Sequence, residues 1–368
     1  MRLEAPDPHS KRARLADWVE LQAFASSRGT APVNSATKIL RLVSDDRTRA
    51  SDLQEGADDS GDPEITDRAT EDLEDRVAEE LTFRSAKLGD AYPFEWTYNK
   101  AGFPVGLRLK NDWAEAQSGC LFYIFCLLDS ALREHLLVPE KKSQDEKRLV
   151  DKVGNIFQIC SCVAVGGYTK AEVVSFGFPR ATGDGFLPAL KGAWARYGSY
   201  AVIDTIPHGF DTSLKDGGVD IIAWLAFPDG HAGTMLLFAQ VASGMGWKDK
   251  SVVADVKGLR QWFKGTRFEN FLPAICIPFP LWFDLDEPAK AEDGQPVAFG
   301  PGVVRRFEYR EAKFGVIFDR GRIAQCAAMA ANADDAVRSR IDGWDRVQEV
   351  RDWAETVRSL LAPARMAA

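Results

Sequence analysis

Apolar and polar positions alternate differently in the two parts of this chain. The first part is patterned for helices. ARLADWVELQAFAS (Ala13 to Ser26) has helical spacing, with Leu15, Trp18, Val19 and Phe24 near one face. Ser35 to Val43 predicts a second short helix. SDDRTRASDLQEGADDSGDPEI, residues 44–65, is acidic, rich in Gly, Ser and Asp, and almost without apolar content, which predicts a flexible linker. Thr66 then opens a charged helix in which Leu73, Val77 and Leu81 recur every four residues. FEWTYNKAGFPVGLRLK reads as a hairpin turning at Asn99 to Gly102. Gln117 to Leu137 is apolar nearly all round and predicts a central buried helix. The charge cluster Glu140 to Lys147 marks a boundary.

Beyond that cluster, helices alternate with strands. Val150 to Gly166 and Gly183 to Tyr197 read as helices, and Ser251 to Phe263 as an amphipathic one. Val219 to Phe227 and Thr234 to Ala242 are β-rich apolar runs joined by PDGHAG, so the simplest assembly is an antiparallel hairpin. FLPAICIPFPLWFD and KFGVIFDRGRIA contain strand-like runs, the second leading into a helix. Arg338 to Leu361 closes the chain as a charged helix. This order predicts an α/β protein in three regions: a mostly helical domain over residues 1–147, an α/β domain over 148–330, and a C-terminal helix over 331–368.

Composition narrows the function classes. With 368 residues, 45% of them hydrophobic, the chain can bury a large core. The net charge of −8 argues against a surface that is basic all over, but not against a local basic patch. The best such patch is VVRRFEYREAKFGVIFDRGR, with Arg305, Arg306, Arg310, Lys313, Arg320 and Arg322. The six cysteines form no C-x-x-C pair and sit among apolar neighbours, which predicts reduced, buried thiols. The four histidines lack the spacing of a zinc site. MRLEAPDPHSKRARL has no apolar signal region, and the oily stretch CLFYIFCLL is short for a membrane helix, so a soluble cytoplasmic protein is expected. Trp224, Trp247 and Trp262 read as core. No G-x-S-x-G elbow, H-E-x-x-H or Walker lysine motif occurs.

Two polar residues stand out within the predicted hairpin. Asp220 lies at the mouth of the first apolar run, directly after Lys215, Asp216 and a glycine pair, and Gln240 lies inside the second. In one hairpin register Asp220 opposes Gln240, and the two share a face with Cβ atoms roughly 5 Å apart. In the other it opposes Val241, and they do not, because a one-residue slip flips every side chain. An acid buried there needs a partner. Either Asp220 accepts backbone N–H bonds from the Gly217-Gly218 turn while Gln240 caps a neighbouring strand, or both present oxygens to a hard cation such as Mg²⁺.

KDGGVDIIAW followed by LLFAQVASG resembles the core of the PD-(D/E)xK nucleases, especially the branch related to restriction enzymes that cut methylated DNA. The resemblance spans about residues 150–285. It implies a restriction endonuclease-like mixed sheet flanked by helices, and a Mg²⁺- or Mn²⁺-dependent endonuclease that cuts DNA in bacterial antiviral defence. The partners it implies are DNA and other defence proteins, with no membrane. Position by position, Asp220 matches the metal-binding aspartate and Gln240 the second ligand. The place of the family's lysine is taken by Ala242. Lys248 and Lys250, just beyond, stand where some family members carry a relocated lysine. With an amide in place of a carboxylate, a further acid is needed, and Asp184 and Asp216 are the candidates. The alternative is a degenerate nuclease fold that binds DNA or a partner protein without cutting, which Ala242 favours.

Overall fold

The structure, a computed structural model, describes the chain except for residues 7–9, 11, 36–62, 181, 207, 210–214, 230–233, 266–267, 282–288, 291–295, 298–309 and 362–368. The expected helix at Ser35 to Val43 apart from Ser35 itself, most of the acidic stretch, and Arg305 and Arg306 of the basic patch therefore lie outside the described residues.

In the first part, β1 (Arg2–Leu3), α1 (Arg12–Ala25), β2 (Thr30–Pro32) and α2 (Pro63–Leu88) precede the hairpin of β3 (Phe94–Tyr98) and β4 (Pro104–Leu109). The hairpin turns where the sequence indicates. The Asn99 side chain accepts the N–H groups of Ala101 and Phe103 at 2.9 and 3.0 Å, an Asx-type turn. Then come α3 (Cys120–Arg133) and β5 (Leu137–Val138), which pairs with β1. Helix α3 is buried on nearly every side, as its composition requires.

The second part begins with α4 (Gln144–Thr169), capped by the Ser143 hydroxyl, which accepts the Glu146 N–H. It continues with β6 (Glu172–Ser175), α5 (Phe186–Tyr197), β7 (Ile221–Leu225), β8 (Met235–Val241), α6 (Val252–Leu259) and β9 (Leu272–Cys276). A small ribbon of β10 (Ala289–Lys290) and β11 (Pro296–Val297) is followed by β12 (Val316–Phe318), α7 (Arg320–Ala331), α8 (Asp335–Arg338) and α9 (Val347–Leu361). The strands form a mixed sheet of order β12-β9-β8-β7-β6. β6, β7 and β8 run antiparallel, while β8, β9 and β12 run parallel.

The β7–β8 hairpin adopts the first of the two registers, with Ile221 opposite Ala239 and Ile222 opposite Phe238. Alternation then divides the side chains between two cores. Ile221, Ala223, Leu237 and Ala239 enter a core shared with α1, α3, α4, α7 and α9. Ile222, Trp224, Leu236 and Phe238 enter a second core with α5 and α6. The second is built on rings: Trp194 lies 4.7 Å from Phe263, and Phe238 lies 5.2 Å from Phe268, between centroids. The first core is continuous from Met1 to Val357 and crosses residue 147 without a break.

Close helix packing explains the small residues of α7. A Cβ at Gly167 of α4 would meet the Cys326 carbonyl at 1.9 Å, and one at Gly119 would meet the Ala324 carbonyl at 2.3 Å. Only glycine lets α4 and the start of α3 approach that alanine-rich helix. Among the described residues α4 is the one helix with the length and apolar content to cross a membrane, and most of its apolar window is buried in the protein. All six cysteines are buried and unpaired, and Trp224, Trp247 and Trp262 are core residues.

The first core also encloses charge. Arg320, expected in a surface basic patch, is fully buried and grips both Asp17 carboxylate oxygens at 2.7 and 2.8 Å. It turns inward because the Asp319 N-cap starts α7 there, with Asp17 and Ser130 waiting on α1 and α3. Arg84 of α2 donates to Asp17 at 2.6 Å and to Glu80 at 3.0 Å, and its guanidinium also faces Glu20 at 3.0 Å. Tyr92 and Tyr123 donate to Glu20 at 2.8 and 3.0 Å. Burial pushes the Asp17 carboxyl up, but the two guanidiniums outweigh it and hold it below the usual range. Burial wins at Glu80, which is pushed up to about 7 despite Arg84.

Replacing Asp17 with Ala leaves two guanidiniums buried without their shared acceptor. Asp17→Ala is expected to destabilise the fold by about 3–5 kcal/mol. A lowered midpoint in equilibrium denaturant unfolding checks this, and a change within 0.5 kcal/mol would contradict it.

Candidate active site

The candidate site forms at one rim of the sheet, where β7 begins, its neighbours β6 and β8 end, and β9 and β12 end beyond β8. The turn that leads into β7 is held by Asp216, not by Asp220. The Asp216 side chain accepts the Gly218 N–H at 2.9 Å, and Gly217 and Gly218 adopt φ of +64° and +77°, conformations that favour glycine. The turn's own polar demand is thereby met, which removes the purely local explanation for Asp220.

Asp220 is fixed instead by its neighbours in the sheet. Its N–H donates to the Ala239 carbonyl at 2.9 Å, and its Oδ2 accepts the Val241 N–H at 2.7 Å, so the residue brackets Gln240 on the adjacent strand. Its carbonyl accepts from Phe176 N, Gly177 N and the Gln158 side chain at 2.8, 2.9 and 2.7 Å. The other carboxylate oxygen faces a gap. A Cβ at Gly177 would lie 2.9 Å from Asp220 Oδ1 and 3.0 Å from Gln158 Oε1, so glycine keeps a space onto which two oxygens converge.

Gln240 is buried on β8. Its Nε2 donates to Asp255 Oδ2, which turns Oε1 the other way, and Oε1 is buried without a hydrogen-bond partner. Asp255 sits in the first turn of α6, capped by Ser251. Its carboxylate occupies the space beside Gly218, where a Cβ would come within 2.4 Å of it. Lys250 directly precedes the cap, and its positive charge acts on both Asp220 and Asp255.

Burial pushes the Asp220 carboxyl up to about 6. The Val241 N–H bond and Lys250 oppose this, while the negative charges of Asp216 and Asp255 reinforce it. Burial likewise raises Asp255, against its bond from Gln240 and the nearby Lys250. The site thus gathers three acids and one ammonium around the buried Gln240 amide oxygen. Among the described residues, no three His, Cys, Asp or Glu side chains lie close enough to hold a metal ion by themselves. A cation here would depend on the amide oxygens of Gln240 and Gln158 together with Asp220. An unpartnered buried amide oxygen beside a carboxylate is a fitting donor set for a hard ion such as Mg²⁺ or Mn²⁺.

Of the residues singled out by sequence, Asp220, Gln240, Asp216 and Lys250 come together. Asp184 does not join them: its carbonyl accepts from Arg180 at 3.2 Å, and its charge acts on that arginine. The loop before α5 carries it outward. Lys248 is also turned away, with its ammonium 5.9 Å from the Trp247 ring centre and its carbonyl accepting from Lys313. Asp255 and Gln158 were not legible as site residues. Each lies on a helix whose spacing marks only the apolar face, and its relation to Asp220 is set by packing.

The shift at Asp220 has a stability consequence. A folded carboxyl raised from 3.8 to about 6 favours folding below the unfolded value, and this advantage disappears as pH rises through about 6. Asp220→Asn keeps an acceptor for the Val241 N–H and removes the buried charge. It is expected to stabilise the protein by about 1–3 kcal/mol at pH 8, with the gain vanishing by about pH 4. Denaturant midpoints across that range check it, and a variant less stable than wild type at pH 8 would contradict it. No family model matches this chain, and neither a curated protein nor a solved structure matches it.

Proposed function

We propose that the protein is a metal-dependent nuclease hydrolysing DNA phosphodiester bonds at the Asp220–Gln240 site, on a restriction endonuclease-like fold. The observation that carries the reading is the buried Gln240 Oε1, unpartnered, on the strand that Asp220 brackets. The mixed sheet supports it too: an antiparallel β6–β7–β8 meander joined through α6 to a parallel β9, with α4 on one face and α5 and α6 on the other. A role in bacterial defence and the association with other defence proteins rest on the family resemblance alone.

Asp220 Oδ1, Gln240 Oε1 and Gln158 Oε1 are the atoms that would hold Mg²⁺ or Mn²⁺. An ion held there would polarise a phosphate and lower the pKa of a water molecule. The chain's own residues do the rest. Val241 N–H fixes Oδ2 and leaves Oδ1 for binding. Asp255 fixes the Gln240 amide so that its oxygen, not its nitrogen, is presented. Lys250 supplies positive charge where negative charge develops on the phosphate, the part given elsewhere in the family to the residue at Ala242.

One observation favours the second reading, a binding protein that does not cut. Ala242 is buried among apolar side chains, so no lysine stands in the strand itself. Plasmid nicking separates the two. With Mg²⁺ or Mn²⁺, wild type is expected to relax supercoiled DNA, and Asp220→Ala to be silent. Lys250→Ala should slow cleavage by about 10²-fold, whereas Lys248→Ala should match wild type. Cleavage should fall as pH drops below about 6, because Asp220 must be ionised to bind the ion. Robust DNA binding that survives Asp220→Ala, with no cleavage in any metal, would establish the non-cutting reading.

A further inference from the structure

We propose that Arg180 anchors a phosphate subsite in the cleft beside Asp220, where it holds a phosphate group next to the one being attacked. The inference rests on the nuclease reading and extends it to a second point of substrate contact.

The cleft has a volume of about 690 Å³, within the range of a nucleotide-sized site. It opens along the β6 edge, between α4, α5 and the segment before α9. Gln158 and Phe176 line it. The Gln158 side chain and the Phe176 N–H also donate to the Asp220 carbonyl, so the cleft is separated from the candidate catalytic residue by these two residues.

Four arginines line this cleft: Arg180, Arg196, Arg338 and Arg346. Three are neutralised by carboxylates, Arg196 by Glu172 and Asp342, Arg338 by Asp335, and Arg346 by Glu349. Among the described residues, Arg180 alone of the four has no carboxylate within ion-pair distance. Its terminal nitrogens donate to two carbonyls, Asp184 O at 3.2 Å and Lys215 O at 2.7 Å. Its Nε is buried and unpartnered. A guanidinium has five N–H donors, so besides the buried Nε–H one N–H on each terminal nitrogen remains for a group in the cleft. Asp216 and Asp184 act on it only at longer range.

The guanidinium is also held rigid. It stacks on the Phe176 ring at 4.6 Å, and Lys215 stands 5.3 Å from the Phe178 ring on the same loop. Two cations are thus braced on two rings of FGFPR, and of these Arg180 and Phe176 line the cleft. A preoriented, partly desolvated fork with free donors matches a phosphate, which arginine binds through two parallel N–H···O bonds. Such a phosphate comes either from a polynucleotide backbone or from a free phosphate compound.

The test measures binding without cleavage, in Asp220→Ala protein with Arg180 intact, as Gln, or as Lys. The probes are a fluorescent oligodeoxynucleotide duplex, titrated from 50 to 200 mM salt, and inorganic phosphate as competitor. Arg180→Gln is expected to weaken duplex binding about 3- to 10-fold and to reduce the salt slope by about 1, as one lost phosphate contact does. Arg180→Lys should keep the slope and lose part of the affinity. Unchanged affinity and slope in Arg180→Gln would overturn the subsite, while plasmid nicking by the Asp220 wild type would leave the nuclease reading intact. Inorganic phosphate binding that needs Arg180, in protein that neither binds nor cuts DNA, would keep the subsite, assign it to a free phosphate compound and remove the nuclease.

Discussion

The bidentate pair between Arg320 and Asp17, shared with Arg84, is the constraint on which the arrangement of this molecule depends. Its members come from α7, α1 and α2, and Ser130 and Tyr123 of α3 complete their hydrogen bonding. None of these charges can be left alone in an apolar interior, because each unpaired ion would carry a desolvation penalty of several kcal/mol. These four helices, α1, α2, α3 and α7, must therefore arrive together. Arg320 also donates to the Pro278 carbonyl, just past β9, and its neighbour Asp319 accepts the Leu281 N–H. The network thereby fixes the rim where the parallel strands end, and the Asp220 site is on that rim.

The two charged regions at that rim are built differently. In the Arg320–Asp17 cluster, the acceptors of Asp17 are saturated by guanidinium donors, and its carboxyl is held in the charged form. Around Asp220, carboxylates outnumber cations, an amide oxygen has no partner, and burial raises both Asp220 and Asp255. Gly177 and Gly218 preserve the space between these groups, which any side chain would fill. Asp17 is satisfied within the protein, although Glu80 of the same cluster keeps one buried oxygen without a hydrogen-bond partner, while at the Asp220 site the unpartnered oxygen belongs to the Gln240 amide.

The same contrast separates what could be read from the residues alone. Most of the longer helices and strands followed their periodicity, but the helix expected from Arg338 to Leu361 is broken into α8, a turn and α9, while the Asn99 turn and the DGGVD turn followed their side-chain chemistry. The hairpin register was narrowed to two choices, and burial of both sheet faces selected one of them. Asp220, Gln240 and Lys250 were visible because a polar residue within an apolar run, or a lysine just past a strand, is a local anomaly. Asp255 and Gln158 were not, because an Asp in a helix's first turn and a Gln on a helix are ordinary in sequence.

By itself, then, the sequence determined most of the longer elements and the polar residues at the mouth of β7, since these depend on interactions a few residues apart, but not the short strands β1, β2, β5 and β6. Tertiary structure alone decided which charges are buried and which of the nearby acids and lysines face Asp220. Arg320 and Arg180 are both arginines in polar-looking stretches. One closes a core and the other borders a cleft, because the groups that surround each come from segments up to 303 residues away in the chain.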